Sequence, residues 1–93
     1  MVSTQNGSKV KILVLQRGWV LVGEHSWADE EHTLTRAAVV RRWGTTKGLG
    51  ELASSGPLPG TTLDPCPNVT AHELTVVFVM DCEDSKWLDK LPR

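Results

Sequence analysis

The chain has 93 residues, enough for one domain and too few for two. Hydrophobic residues make up 40% and charged residues 23%, a balance that excludes a wholly disordered chain. The net charge of −1 selects no partner by bulk electrostatics and makes nucleic-acid binding unlikely as a function class.

Residues 1–8 hold only two apolar side chains and read as a disordered N-terminus. Residues 9–93 read as a single small α+β domain. No charged segment followed by an apolar one opens the chain, and no apolar run approaches the roughly 20 residues that cross a bilayer. A soluble, intracellular protein is the expectation.

"KVKILVLQRGWVLVG" opens the domain. Val10, Ile12 and Val14 share one face of a strand, and Leu13 and Leu15 the other, which is the pattern of a central strand. Gln16-Arg17-Gly18 forms a tight turn into a second strand, Trp19 to Val22; the alternative is one long strand with a bulge at Gly18. "EHSWADEEHTL" is polar and reads as a loop. "TLTRAAVVRRW" favours a third strand through its Thr and Val content, although Ala-Ala and three Arg also suit a helix.

After Trp43, Thr45 or Thr46 is a good N-cap, and Leu49, Leu52 and Ala53 fall at helical spacing. Gly48 and Gly50 limit this helix to a turn or two. "SSGPLPG" is a loop. A short strand near "TTLDP", a Pro-rich turn and a strong strand from Leu74 to Met80 follow; the apolar run 74–80 belongs in the middle of a sheet. "DCEDSKWLDKL" closes with a helix capped by Asp81 or Asp84, whose Trp87, Leu88 and Leu91 form an apolar stripe. Trp43 and Trp87 are the expected aromatic core. The predicted architecture is a small antiparallel sheet or open barrel of about five strands, with a short central helix and a C-terminal one.

The chemistry is sparse. Cys66 and Cys82 are the only cysteines, and with His25, His32 and His72 they make no pair at metal-ligand spacing. Neither metal nor cofactor is expected, and the cysteines read as reduced and buried. Neither cysteine sits in a nucleophile signature, and the acid pairs Glu30-Glu31 and Glu83-Asp84 look like solvated turns. No catalytic residue is assigned, and a non-enzyme is the expectation.

Charge distribution says more than its sum. Between Thr33 and Gly50 lie four cations, Arg36, Arg41, Arg42 and Lys47, and no acid. A solvated basic strand opposite acidic loops is the ordinary explanation, and an anion- or partner-binding face is the alternative. The glycine-rich segment 44–50 lacks the order G-x-x-x-x-G-K-[ST] of a phosphate loop. Its ingredients still suit an anion, and Arg41, Arg42, Thr45, Thr46, Lys47 and Gly48 are the candidate ligand-binding residues. Positive φ or close backbone approach is the first reading of the glycines, and anion contact can hold beside it. Trp19 beside a turn and Trp27 in a polar stretch are the candidate interface anchors.

"VLQRGWVLVG", "AAVVRRWGTTKGLGELA", "TTLDPC" and "DCEDSKW" together resemble a family of small proteins of unknown function from bacteriophage and prophage genomes. The resemblance runs from about Lys9 to Trp87. It implies an accessory protein acting in the host bacterial cytoplasm. Two mechanisms follow: binding and blocking a host protein, such as one of antiphage defence, or sequestering a small anionic ligand such as a nucleotide signal. Homo-oligomers are expected in either case, because a small sheet leaves edges to cover.

Overall fold

The computed structural model describes residues 8–92. The disorder expected for residues 1–7 lies outside that range. Ser8, the last residue of that segment, is hydrogen-bonded: its hydroxyl donates to the Val10 carbonyl at 2.7 Å and accepts from the Cys82 N–H at 3.1 Å.

Six antiparallel strands and two helices make an α+β fold: β1 Val10–Leu15, β2 Val20–Ala28, β3 Glu31–Arg42, α1 Leu49–Ser55, β4 Thr62–Pro65, β5 Val69–His72, β6 Val76–Asp81 and α2 Asp84–Trp87. The sheet order is β4-β3-β2-β1-β6, and β5 also pairs with β3. β3 carries β5 along residues 31–34 and β4 along residues 38–42, so the two short strands share its outer edge end to end. The sixth strand beyond the five expected is β5, whose four residues carry too little pattern to stand out.

β1 is central, as its two apolar faces required. Val10 and Ile12 enter a cluster with Val22, Leu52, Trp87 and Leu91. Leu13 points into a second cluster with Leu21, Leu34 and Ala37. Both faces of the sheet therefore bury apolar side chains, and the helices cover the first. Trp87 is fully buried, and its indole N–H donates to the carbonyls of Leu52 and Ala53, both at 3.2 Å. A buried indole needs such a partner, and here the partners tie α2 to α1.

Five expectations change. The polar stretch 24–34 is not a loop: β2 runs to Ala28, β3 starts at Glu31, and Asp29 and Glu30 make the turn with φ of 53° and 65°. Two consecutive left-handed residues are what a tight two-residue hairpin demands. The run 74–80 is not central, because β6 pairs only with β1 and closes one edge of the sheet. Trp43 is not core; it follows the end of β3 and is 41% exposed. Neither Asp81 nor Asp84 caps α2, whose N-cap position is Glu83, and Thr45 and Thr46 give way to Gly48 as the N-cap residue of α1. The Asp84 carboxylate instead receives the N–H groups of Lys9 and Val10, at 3.0 and 2.9 Å.

The β2–β3 hairpin is bent by a bulge. Val22 pairs with Ala38 but Glu24 with Thr35, so Gly23 faces two residues, Arg36 and Ala37. A Cβ on Gly23 would lie 2.9 Å from the Thr35 carbonyl oxygen, so only glycine fits. Arg36 takes the left-handed conformation, φ 51°. Its guanidinium bonds the Glu24 carboxylate at 3.0 Å and the carbonyls of Leu88, Leu91 and Pro92 at 2.6, 3.3 and 2.9 Å. One side chain thus ties the bulge to the C-terminal segment.

Candidate functional site

The segment 41–48 is built by the end of β3, the loop before α1 and the approach of residues 60–61. Gly44 lies against Gly60: a Cβ on it would sit 2.3 Å from the Gly60 carbonyl carbon. The Thr61 hydroxyl donates to the Trp43 carbonyl at 2.6 Å across the same contact. Close backbone approach is therefore a role this glycine fills.

The loop's polar groups have partners inside the chain. The Thr45 hydroxyl donates to the Gly48 carbonyl at 2.9 Å. The N–H groups of Thr46 and Lys47 donate to Oε1 of Glu51 at 3.1 and 2.9 Å, and the Thr46 hydroxyl lies 3.4 Å from the same oxygen. A side chain of α1 thus supplies the anion that the loop's donors accommodate, in the manner of a capping box. Arg41 forms a two-point pair with Asp64, 2.8 Å from Nε to Oδ2 and 3.2 Å from Nη2 to Oδ1. Arg42 and Lys47 are exposed and have no ion pair among the described residues. Of the six candidates, the structure gathers Thr46, Lys47 and the nearby Gly48 around Glu51, and it turns Arg41 toward β4.

Trp19 and Trp27 are each 57% exposed. Trp27 stands near the tip of the β2–β3 hairpin, directly opposite His32, with ring centroids 6.0 Å apart. Trp19 follows the turn Gln16–Gly18.

Two features were not singled out in the sequence. One is a histidine cluster. His25 and His32 are diagonal neighbours, with His25 Nε2 2.9 Å from His32 Nδ1. His32 is 8% exposed, and its Nε2 lies 3.8 Å from Glu73 Oε1. Burial, then the His32 ring, then Lys11 hold His25 down to about 4, with Asp81 opposing. No group of three or more His, Cys, Asp or Glu side chains among the described residues is placed to hold a metal. Once β2 is known to continue to Ala28, the alternation of His25 and Trp27 against His32 and Leu34 would have placed this cluster on one face.

The other feature is an open groove of about 430 Å³ between the β1–β2 turn and β5. Leu15, Arg17 and Trp19 form one wall, and Thr70, Ala71 and His72 the other. Its walls are short and far apart in sequence, so no single stretch signals it.

Both cysteines are free. Cys82 is buried, and burial with Asp84 and Asp81 pushes its thiol up to about 12; burial raises Cys66 as well. Neither is a thiolate at neutral pH, so neither is poised as a nucleophile. No described helix is long and apolar enough to cross a membrane. No protein-family model matches the sequence, and no curated protein matches it either.

Proposed function

We propose that the protein is a non-catalytic binding protein that engages another protein through exposed aromatic anchors. The observation that carries this reading is Trp27, a large side chain left 57% exposed near the tip of a tight hairpin. Such an aromatic presents contact area at little entropic cost, because the hairpin already holds its backbone. The resemblance to phage and prophage proteins supports a host bacterial protein as the partner, of the antiphage-defence kind, met in the bacterial cytoplasm and blocked by binding.

Sequestration of an anionic ligand by the Arg41–Lys47 segment is the second reading. Arg42 and Lys47, both without an ion pair among the described residues, favour it. Glu51 disfavours it by occupying the loop's N–H groups.

Capture from bacterial lysate with three forms of the protein separates the two. The wild type and the Arg42→Ala, Lys47→Ala double variant are expected to retain the same protein, and Trp27→Ser to lose it with an unchanged melting temperature. Native mass spectrometry runs beside it. A small-molecule mass that leaves with the double variant would instead establish sequestration.

A further inference from the structure

We infer that the groove beside β5 takes an extended, acidic peptide segment, which adds to the free edge of β5 as a further strand. This occupant rests on the protein-binding function proposed above and names the part of the partner that enters.

The hydrogen-bond parity of β5 comes first. The Glu73 N–H donates to the Glu30 carbonyl at 2.8 Å. The ladder alternates, so Glu31–His72 and Thr33–Thr70 are its non-hydrogen-bonded pairs. The main-chain groups of Thr70 and His72 consequently point away from β3, toward the side where both residues line the groove. The His72 carbonyl is taken by the Thr75 hydroxyl at 2.7 Å. The Thr70 N–H, the Thr70 carbonyl and the His72 N–H have no partner among the described residues. An exposed strand edge with unmet donors and acceptors is a template for another strand.

The walls select the chemistry of that strand. Arg17 lines the groove with no ion pair among the described residues; no acid lines it, and the Glu30 carboxylate beside its wall is engaged by His72 Nε2 at 3.6 Å. The groove therefore complements a negative side chain. Leu15 and Ala71 give it apolar surface, and the exposed Trp19 offers a flat ring against which a residue of the incoming strand packs. An open trough of this kind suits an extended chain better than a compact ligand, which needs enclosure on most sides.

A displayed library of random heptapeptides tests this on the intact protein. Enriched sequences are expected to carry Asp or Glu among β-branched residues. Arg17→Ala should weaken them about tenfold, the scale of one charge-assisted hydrogen bond. Thr70→Pro removes the outward N–H without touching the β3 ladder, and should abolish binding at an unchanged melting temperature. If that variant fails to fold, the Arg17 variant and amide hydrogen exchange at Thr70 and His72 with bound peptide carry the test. Failure to enrich any peptide, or enrichment of peptides indifferent to Arg17 and unprotected at those amides, overturns the assignment. Lysate capture that depends on Trp27 but not on Arg17 or Thr70 would do so too, while leaving the binding function in place.

Discussion

Glu51 Oε1 lies 2.9 Å from the Lys47 N–H and accepts the Thr46 N–H as well. The acid therefore stabilises the start of α1 by holding the loop that leads into it. Glu51→Ala is expected to cost about 1 kcal/mol, the ordinary price of losing a cap. Lys47→Ala, which removes only an exposed side chain, should stay within about 0.5 kcal/mol. Urea unfolding of both variants checks this; equal losses would mean that the Lys47 side chain, and not its backbone, organises the loop.

The glycines of the same segment should separate sharply. Gly44 has φ 71°, and a Cβ there meets the Gly60 backbone at 2.3 Å. Gly50 lies inside α1 with nothing within 4 Å of the position a Cβ would take. Gly44→Ala should therefore destabilise by more than about 3 kcal/mol or prevent folding, because the clash is with backbone that cannot rotate away. Gly50→Ala should stabilise by about 0.5–1 kcal/mol through helix propensity. Thermal melts of the pair decide; a neutral Gly44→Ala would refute the close-approach role.

Arg36 combines an unfavourable backbone with a favourable side chain. Its φ of 51° strains any residue but glycine, while its guanidinium serves Glu24 and three carbonyls of the C-terminal segment. Arg36→Ala is expected to cost about 2–4 kcal/mol, since charge-assisted bonds are lost and Glu24 is left unpaired. Arg36→Lys should recover little, because an ammonium cannot reproduce the fork. Arg36→Gly should be more stable than Arg36→Ala by about 1 kcal/mol, as the strain is relieved. Denaturation series on the three variants test the order Ala below Gly, which fails if the left-handed conformation is not kept.

What could be read in advance followed the range of the physics. β1 was legible because Val10, Ile12 and Val14 alternate with Leu13 and Leu15, and period alone fixes such a strand. The stretch 24–34 misled because polarity outweighed an alternation that was present: His25 and Trp27 sit on one face, opposite His32 and Leu34. The run 74–80 misled for the converse reason. Continuous apolar sequence signals burial, yet Leu74 is 78% exposed and β6 lies at an edge. Which strand ends a sheet is decided by pairing, which composition does not encode. At the candidate site, the Glu51 contact was within reach, being four residues from Lys47. The Arg41–Asp64 pair and the groove walls were not, since each joins segments brought together only by the fold.

His25 makes stability depend on pH in a defined window. Its folded value is about 4, against 6.5 for a free imidazole. Between those values the unfolded chain binds a proton that the folded chain refuses, so stability is fully present above 6.5 and declines as pH falls toward 4. Below about 4 this group causes no further loss. His25→Gln should flatten the decline while carboxylates elsewhere continue to titrate in both proteins. Urea unfolding at pH 7 and pH 4.5 gives the comparison, and an identical drop in both proteins would show that His25 is not the responsible group.

The homo-oligomer expected from the sequence would find its seat in β6. From Val76 to Met80 the strand carries neither charge nor proline, and Val77 and Phe78 are exposed. Charge and proline are devices by which edges are normally protected; β6 has neither over that run, only an irregularity at Val77 in its pairing with β1, whereas Pro65 ends β4 on the other edge. Antiparallel pairing of β6 with its own copy about a two-fold axis at Phe78 would set Asp81 across from Thr75, so no like charges meet. Val77→Lys places a cation on this edge without disturbing the core. The wild type is expected to be a dimer by light scattering and Val77→Lys a monomer with a similar melting temperature. A wild-type monomer at every concentration tested, or a variant that still dimerises, would move the association surface away from β6.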